Sequence, residues 1–230
     1  MIEKMSAMKY YAIIVAGGSG SRMDSDVPKQ FLQLNGRPVL MHTIDVFYSS
    51  SLVPEIIVVL STDFHSYWEK LCLEHDFIIP HQVVNGGEHR YHSVKNGLAQ
   101  VKGPAMVAIH DAVRPCVNLD VIDSAFRQAE LLGNAVTAVK SRDSVRQKTE
   151  SGSLTLDREN IYLVQTPQVF NSEILNKAYE QEYRSDFTDD ASVVEMSGVT
   201  IRIIDGDTRN LKITYPEDIL VASTFLNYKK

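Results

Sequence analysis

"YYAIIVAGGSGSRM", residues 10–23, is the stretch on which the reading of the fold turns. Tyr10 to Ala16 is an apolar run of strand length that empties into Gly17, Gly18 and Gly20, with Arg22 just beyond. A short apolar run bounded by glycines reads as a buried strand. The glycines behind it read in two ways. They make either a tight turn or a cradle in which backbone N–H groups approach a polyphosphate while Arg22 supplies charge and a bidentate fork. Working outward, similar runs predict strands at 55–61 ("EIIVVLS"), 77–84 ("FIIPHQVV"), 105–111 ("AMVAIHD") and 134–140 ("NAVTAVK"). Between them, helical spacing occupies 38–50, 64–75, 89–101 and 118–133. In the last of these Leu119, Ile122, Ala125, Phe126 and Ala129 make one apolar face, and Gly133 is the expected stop. Such alternation predicts an α/β fold, a mostly parallel sheet with helices on both faces.

The pattern breaks at "DSVRQKTESGSLTLDR" (143–158), which has no helical period. Val145, Gln147 and Thr149 alternate on one limb and Leu154 and Leu156 on the other, with "ESGS" between as a turn. This predicts a projecting β-hairpin arm, too polar for the core, serving either as a solvated excursion or as a subunit contact. Beyond it the sequence predicts an extended run at 160–170 ("NIYLVQTPQVF") and a helix at 171–184 capped by Asn171 or Ser172. Strands at 199–205 and 210–214 and a closing helix at 216–228, with Pro216 at its first position, complete the chain. Repeats and linkers are absent, so residues 1–230 are expected to form one domain, with 1–8 a flexible tail and Met5 or Met8 alternative starts.

The chain is 44% apolar and 23% charged, an ordinary composition for a globular protein with a sizeable core. Its net charge of −6 provides no general attraction for nucleic acid or anionic membrane. Phosphate chemistry here must rest on a few placed cations. Cys72 and Cys116 lack metal-ligand or CxxC spacing and read as reduced thiols. The sequence carries neither a membrane-length apolar run nor the apolar core of a secretory signal, which makes cytoplasmic residence the expectation.

The opening loop fits neither common phosphate template. A dinucleotide fingerprint wants a small residue where Met23 stands, which argues against a nicotinamide dehydrogenase, and a P-loop wants Gly-Lys-Ser/Thr where the chain has Ser21-Arg22. "VPKQF" (27–31) follows, with Pro28 restricting the backbone just before Lys29. A second cluster, "NGGEHRYHSVKNG" (85–97), again permits close backbone approach, and Ser93 is expected to start or cap a helix whose positive end faces a ligand. The third, "HDAVRP" (110–115), ends a predicted strand, where ligands sit in open α/β sheets. Asp111 and Arg114 suit a ribose hydroxyl, a magnesium ion or a phosphate, or else form a surface ion pair. His110 reads as a structural residue.

Taken in order, "GGSGSRM…PKQ", "GGEHRYHSV", "HDAVRP", "DR…TPQ", "TDDAS" and "NLKITYPED" resemble the 2-C-methyl-D-erythritol 4-phosphate cytidylyltransferases, from Tyr10 to about Leu226. The resemblance implies a Rossmann-like nucleotidyltransferase fold, a homodimer, and Mg2+-dependent transfer of CMP from CTP to methylerythritol phosphate in non-mevalonate isoprenoid biosynthesis. It assigns Ala16, Gly17, Gly18 and Gly20 to wrapping the nucleotide and Arg22 and Lys29 to the triphosphate. Gly87, Glu88 and Ser93 match the cytosine-recognising stretch, with Glu88 where relatives often carry Asp. Asp111, Ala112 and Arg114 match ribose and acceptor positions. Ser144 (often Thr in relatives), Arg158, Thr166, Thr188 and Lys212 match acceptor and α-phosphate contacts, Ser144 and Arg158 reaching the neighbouring subunit's site on the arm. Arg22, Lys29 and Lys212 are thus the expected catalytic cations, with magnesium held mainly by triphosphate oxygens and Asp111 its one candidate protein ligand. A ribitol 5-phosphate cytidylyltransferase, a sister family sharing "HDAVRP", is the alternative.

Overall fold

The computed structural model describes residues 8–17 and 27–228. Residues 1–7 of the expected tail lie outside them, as do Gly18, Gly20 and Arg22. In chain order the strands are β1 (Lys9–Val15), β2 (Gln33–Leu34), β3 (Arg37–Pro38), β4 (Glu55–Leu60), β5 (Gln82–Asn85), β6 (Ala105–Asp111), β7 (Asn134–Lys140), β8 (Val145–Thr149), β9 (Gly152–Leu156), β10 (Tyr162–Asn171) and β11 (Ile203–Asp205). The helices are α1 (Val39–Tyr48), α2 (His65–Glu74), α3 (Arg90–Leu98), α4 (Leu119–Leu132), α5 (Ser172–Ala178), α6 (Asp190–Met196) and α7 (Asp218–Asn227).

Seven strands form one sheet in the order β11-β7-β10-β6-β1-β4-β5, and β10 alone runs antiparallel to its neighbours β6 and β7. Period-2 alternation sorts the two faces. Ala12 and Ile14 of β1, with Ile56, Val58 and Leu60 of β4, pack under α1, α2 and α4 around Phe47, Trp68 and Phe126. Tyr11, Ile13, Ile57 and Val59 point the other way, to α3, α5 and α6. Gly97 lets α3 lie close on the sheet, since a Cβ there would sit 2.8 Å from Ile13 Cγ2 and 2.9 Å from Val59 Cγ2. A third cluster, Leu34, Val39, Val113, Ile213 and Ala222, ties α7 to the β2–β3 hairpin.

Strand β10 breaks step once. Tyr162–Val164 pair with Lys140–Ala138, and Gln168–Phe170 pair with Val136–Asn134, so Gln165, Thr166 and Pro167 face Thr137 alone. The β8–β9 hairpin is the expected arm, pairing Val145 with Leu156 and Gln147 with Leu154, apart from the main sheet.

Several boundaries differ from expectation. Residues 77–81 are not strand, and β5 begins at Gln82. The run 199–205 supplies a strand over Ile203–Asp205 only, and 210–214 is extended chain without ladder pairing. The helix expected to 184 ends at Ala178, and α6 rises from a stretch given no element. Helix α7 starts at Asp218, whose carboxylate accepts from the N–H groups of Thr214 and Tyr215, so Pro216 lies before the helix. Leu119 is exposed, and Val121 joins Ile122, Ala125, Phe126 and Ala129 on the buried face of α4.

Candidate active site

The sheet reverses its strand order between β1 and β6, and the crevice beyond their carboxyl ends is where open α/β sheets hold ligands. Val15 and Asp111 end these strands side by side. Asp111 is nearly buried, and its backbone N–H donates to Thr166 Oγ1 at 3.0 Å. Three cations meet its carboxylate: Lys212 Nζ at 2.9 Å, Arg90 Nε at 3.4 Å and Arg114 Nε at 3.5 Å. Burial alone would raise the Asp111 pKa, but Arg90, Lys212 and Arg114 outweigh it and hold the carboxyl well below the usual range. The Asp111–Arg114 pair is therefore part of a buried charge cluster rather than a surface ion pair.

These groups line a cavity of about 240 Å³ together with Val164, Gln165, Thr166, Gln168, Thr188 and Asp189. Each wall has a local cause. Arg114 lies in the turn after β6 and donates Nη1–H to the Asn210 carbonyl at 2.8 Å. Lys212 stands between Leu211 and Ile213, which pack inward, and Ile213 N–H donates to Val113 O at 2.9 Å, so the lysine is presented to the cavity. Thr166 comes from the unpaired step in β10. Thr188 precedes α6, whose N-cap Asp189 forms a capping box with Ser192 and also accepts from Gln168 Nε2.

His110 has no exposed surface. Its Nδ1 lies 3.1 Å from Thr166 Oγ1, its Nε2 3.2 Å from Arg114 O, and the Phe47 ring packs on it at 4.9 Å. Burial, aided by Arg114 and Arg90 and opposed by Asp111, pushes its pKa down to about 3. It is buried with both ring nitrogens partnered, as the sequence suggests for a residue that does not itself meet substrate.

The glycine-rich segments converge beside this cavity. Ala16 N–H donates to Val59 O at 2.8 Å, and a Cβ on Gly17 would lie 3.2 Å from Ser93 Oγ. Ser93 neither starts nor caps α3. His89 is the N-cap, and Ser93, buried in the first turn, accepts the Gly87 N–H at 3.0 Å. A Cβ on Gly87 would sit 2.4 Å from His92 Cβ, so the loop has no room for a side chain there. The Glu88 side chain is exposed, 3.8 Å from His89 Nε2. Ala112 is buried behind Asp111, its N–H donating to Val15 O at 3.0 Å. Lys29 opens a short 3-10 turn whose next residues, Gln30 and Phe31, are buried, and Gln30 Nε2 donates to Ala16 O at 2.7 Å.

The fold thus gathers Asp111, Arg114, Thr166, Thr188 and Lys212 around one cavity and sets Ala16, Gly17, Gly87 and Ser93 next to it. Ser144 and Arg158 are not brought there. Both are exposed at the foot of the hairpin, where Arg158 Nη1 donates to Arg142 O at 3.3 Å. Arg90 is the main residue the sequence reading missed. Beyond Asp111, its Nη2 donates to the fully buried Asp190 at 2.7 Å, and Tyr179 O–H donates to the same carboxylate at 2.7 Å. Burial opposes its charge, but Asp190 and Asp111 more than offset that and raise its pKa. A signal existed, because an arginine in a helix's first turn opposes the macrodipole and calls for a carboxylate partner. Among the described residues no three carboxylate, histidine or cysteine side chains cluster to cage a metal ion.

Comparison with known proteins agrees with this fold. The profile of the 2-C-methyl-D-erythritol 4-phosphate cytidylyltransferase family matches residues 10–228. The protein of that name from Bacteroides thetaiotaomicron is 48% identical over 219 residues, 95% of this chain and all of that one. The Bacteroides fragilis protein of that name is 49% identical over 215 residues, covering 94% and 98%. Among solved structures, the 4-diphosphocytidyl-2C-methyl-D-erythritol synthase of Anaerococcus prevotii superposes with a TM-score of 0.82 at 28% identity, covering 96% of each chain. The Francisella tularensis 2-C-methyl-D-erythritol 4-phosphate cytidylyltransferase gives 0.77 at 32% identity over 94% and 99%. With its sheet order and matches that run nearly from end to end, the chain belongs to the 2-C-methyl-D-erythritol 4-phosphate cytidylyltransferase family.

Proposed function

We propose that this chain transfers CMP from CTP to 2-C-methyl-D-erythritol 4-phosphate, releasing pyrophosphate and forming 4-diphosphocytidyl-2-C-methyl-D-erythritol for isoprenoid synthesis. Besides family membership, the observation that carries this reading is the set of three cations on one buried carboxylate at the carboxyl end of β6. A phosphate monoester has its second pKa near 6 and is largely dianionic at neutral pH, so it attacks without a general base. The obstacle is repulsion between two anions, since like charges 4 Å apart cost about 4 kcal/mol at an effective dielectric near 20. Placed cations remove it by positioning and electrostatic stabilisation.

In this scheme Ala16, Gly17, Gly18, Gly20, Gly87, Glu88 and Ser93 hold the nucleotide, with Asp111 and Ala112 beside its ribose. Arg22 and Lys29 stabilise the departing pyrophosphate. Lys212 meets the α-phosphate as it becomes five-coordinate, and Arg114, Thr166 and Thr188 hold the acceptor. The donor set suits a magnesium ion held mainly by triphosphate oxygens, with Asp111, already compensated by three cations, the one side chain here that would help to hold it. Bound there, the ion supplies further neutralisation of triphosphate charge.

The exposed arm supports a homodimer in which Ser144 and Arg158 serve the neighbouring subunit's acceptor site. One domain over the whole chain with this arm, acting in the cytoplasm, completes the reading; no described helix is long and apolar enough to cross a membrane. Purified protein with magnesium, each nucleoside triphosphate in turn, and either methylerythritol phosphate or ribitol 5-phosphate tests it. Pyrophosphate is expected with CTP and methylerythritol phosphate. Preference for ribitol 5-phosphate, or no pyrophosphate with either acceptor, overturns the assignment.

A further inference from the structure

The hydrogen bonds around His110 fix the polarity of the Thr166 hydroxyl. The Arg114 carbonyl can only accept, so the His110 nitrogen 3.2 Å from it, Nε2, carries the ring proton. A neutral imidazole then has a bare Nδ1, and its partner at 3.1 Å is Thr166 Oγ1. The Thr166 hydroxyl proton is therefore committed to His110. One lone pair of Oγ1 takes the Asp111 N–H at 3.0 Å. That leaves Oγ1 its second lone pair, an acceptor, on a residue that lines the cavity. The ring has little freedom to do otherwise: it has no exposed surface, and the tilted Phe47 ring packs against it with centroids 4.9 Å apart.

We propose that His110 is a positioning and specificity-determining residue that locks the Thr166 hydroxyl as a hydrogen-bond acceptor, so that Thr166 receives an alcohol O–H of the acceptor substrate and not a phosphate oxygen. A phosphate oxygen at this spot would meet a lone pair instead of a donor. The acceptor's phosphate is thereby sent toward the cations and its polyol toward Thr166, which orients a molecule carrying both. The consequence for substrate rests on the cytidylyltransferase reading above; the hydrogen-bond polarity itself does not.

The first test needs no activity. Nitrogen-15 NMR of the histidine-labelled protein, with the His110 signals assigned by their loss in His110→Gln, is expected to show a protonated Nε2 and an unprotonated Nδ1 at neutral pH. A protonated Nδ1 overturns the proposal whatever the enzyme does. The second test separates the two ring nitrogens. His110→Asn keeps an acceptor near Nδ1, whereas His110→Gln keeps a donor near Nε2 and releases Thr166. The KM for methylerythritol phosphate is expected to rise about tenfold in His110→Gln and at most about twofold in His110→Asn. The KM for CTP should hold in both. Equal effects in both variants, or an unchanged acceptor KM in His110→Gln, refute the specificity role. Failure of the wild-type protein to release pyrophosphate would instead sink the functional reading and leave the NMR result standing.

Discussion

Replacing Lys212 by alanine separates catalysis from stability. Lys212 Nζ touches Asp111 at 2.9 Å, but its side chain is 42% exposed, and Asp111 retains Arg90 and Arg114 when the lysine is gone. Pairs with one exposed partner contribute about 0–1 kcal/mol, so the melting temperature of Lys212→Ala is expected to fall by no more than about 4 °C. In the transition state the balance differs. A unit positive charge about 4 Å from developing phosphoryl charge contributes about 4 kcal/mol at an effective dielectric near 20. At 1.36 kcal/mol per tenfold in rate, its loss lowers kcat about a thousandfold. Steady-state pyrophosphate release at saturating CTP and acceptor, alongside a thermal melt, reads both quantities. A folded variant turning over within about fivefold of the wild type would refute the electrostatic account. So would a variant that loses activity only by unfolding.

Mixing Lys212→Ala with Arg158→Ala, each nearly inactive alone, should restore about a quarter of the wild-type rate if the arm serves the partner's site, since half of the dimers then hold one intact site. No recovery after subunit exchange would place Arg158 in its own chain's chemistry. Ser93→Ala removes the acceptor for Gly87 N–H; the KM for CTP should rise about tenfold while the acceptor KM holds, and an unchanged CTP affinity would detach this loop from the nucleotide. His110 has a folded pKa of about 3, below the roughly 6.5 of the unfolded chain, so its stabilising effect is whole above about pH 6.5 and is lost as pH falls. Urea unfolding at pH 7 and pH 5 should therefore cost the wild type about 2 kcal/mol more than His110→Gln. Equal losses would mean that His110 titrates alike in both states. Asp111, also depressed, enters the same balance only below about pH 4.

The central sheet was legible because burial on both faces writes strands as unbroken apolar runs; β1, β4, β6 and β7 are of this kind. Where burial is one-sided the signal blurs. Exposed Ile78 and half-buried Ile79 resemble a strand in sequence but lie in the chain before β5. Lys212 sits between inward Leu211 and Ile213, an alternation indistinguishable from a strand until the absence of a neighbouring strand to pair with is known. Helix α6 is seven residues long and depends on the Asp189–Ser192 capping box and Gln168, a contact across 23 positions that no local pattern encodes. Of the site, the cations in named motifs were readable. Arg90 was not given a role, because its partners Asp111 and Asp190 lie 21 and 100 positions away.

The irregular step in β10 has a consequence for how this wall can vary. Between the pairs Val164–Ala138 and Gln168–Val136 the strand advances four residues while β7 advances two, a surplus of two. An even surplus conserves parity, so every side chain on either flank keeps its side of the sheet. Loss of one residue would turn the far flank inside out and wreck the core. Loss of two would straighten the strand, keep each flank on its own face and withdraw Thr166 from the cavity, at the cost of the hydrogen bonds its hydroxyl makes with the Asp111 N–H and His110. The wall facing the acceptor can therefore be shortened or lengthened in pairs without reversing the faces of the sheet that carries it.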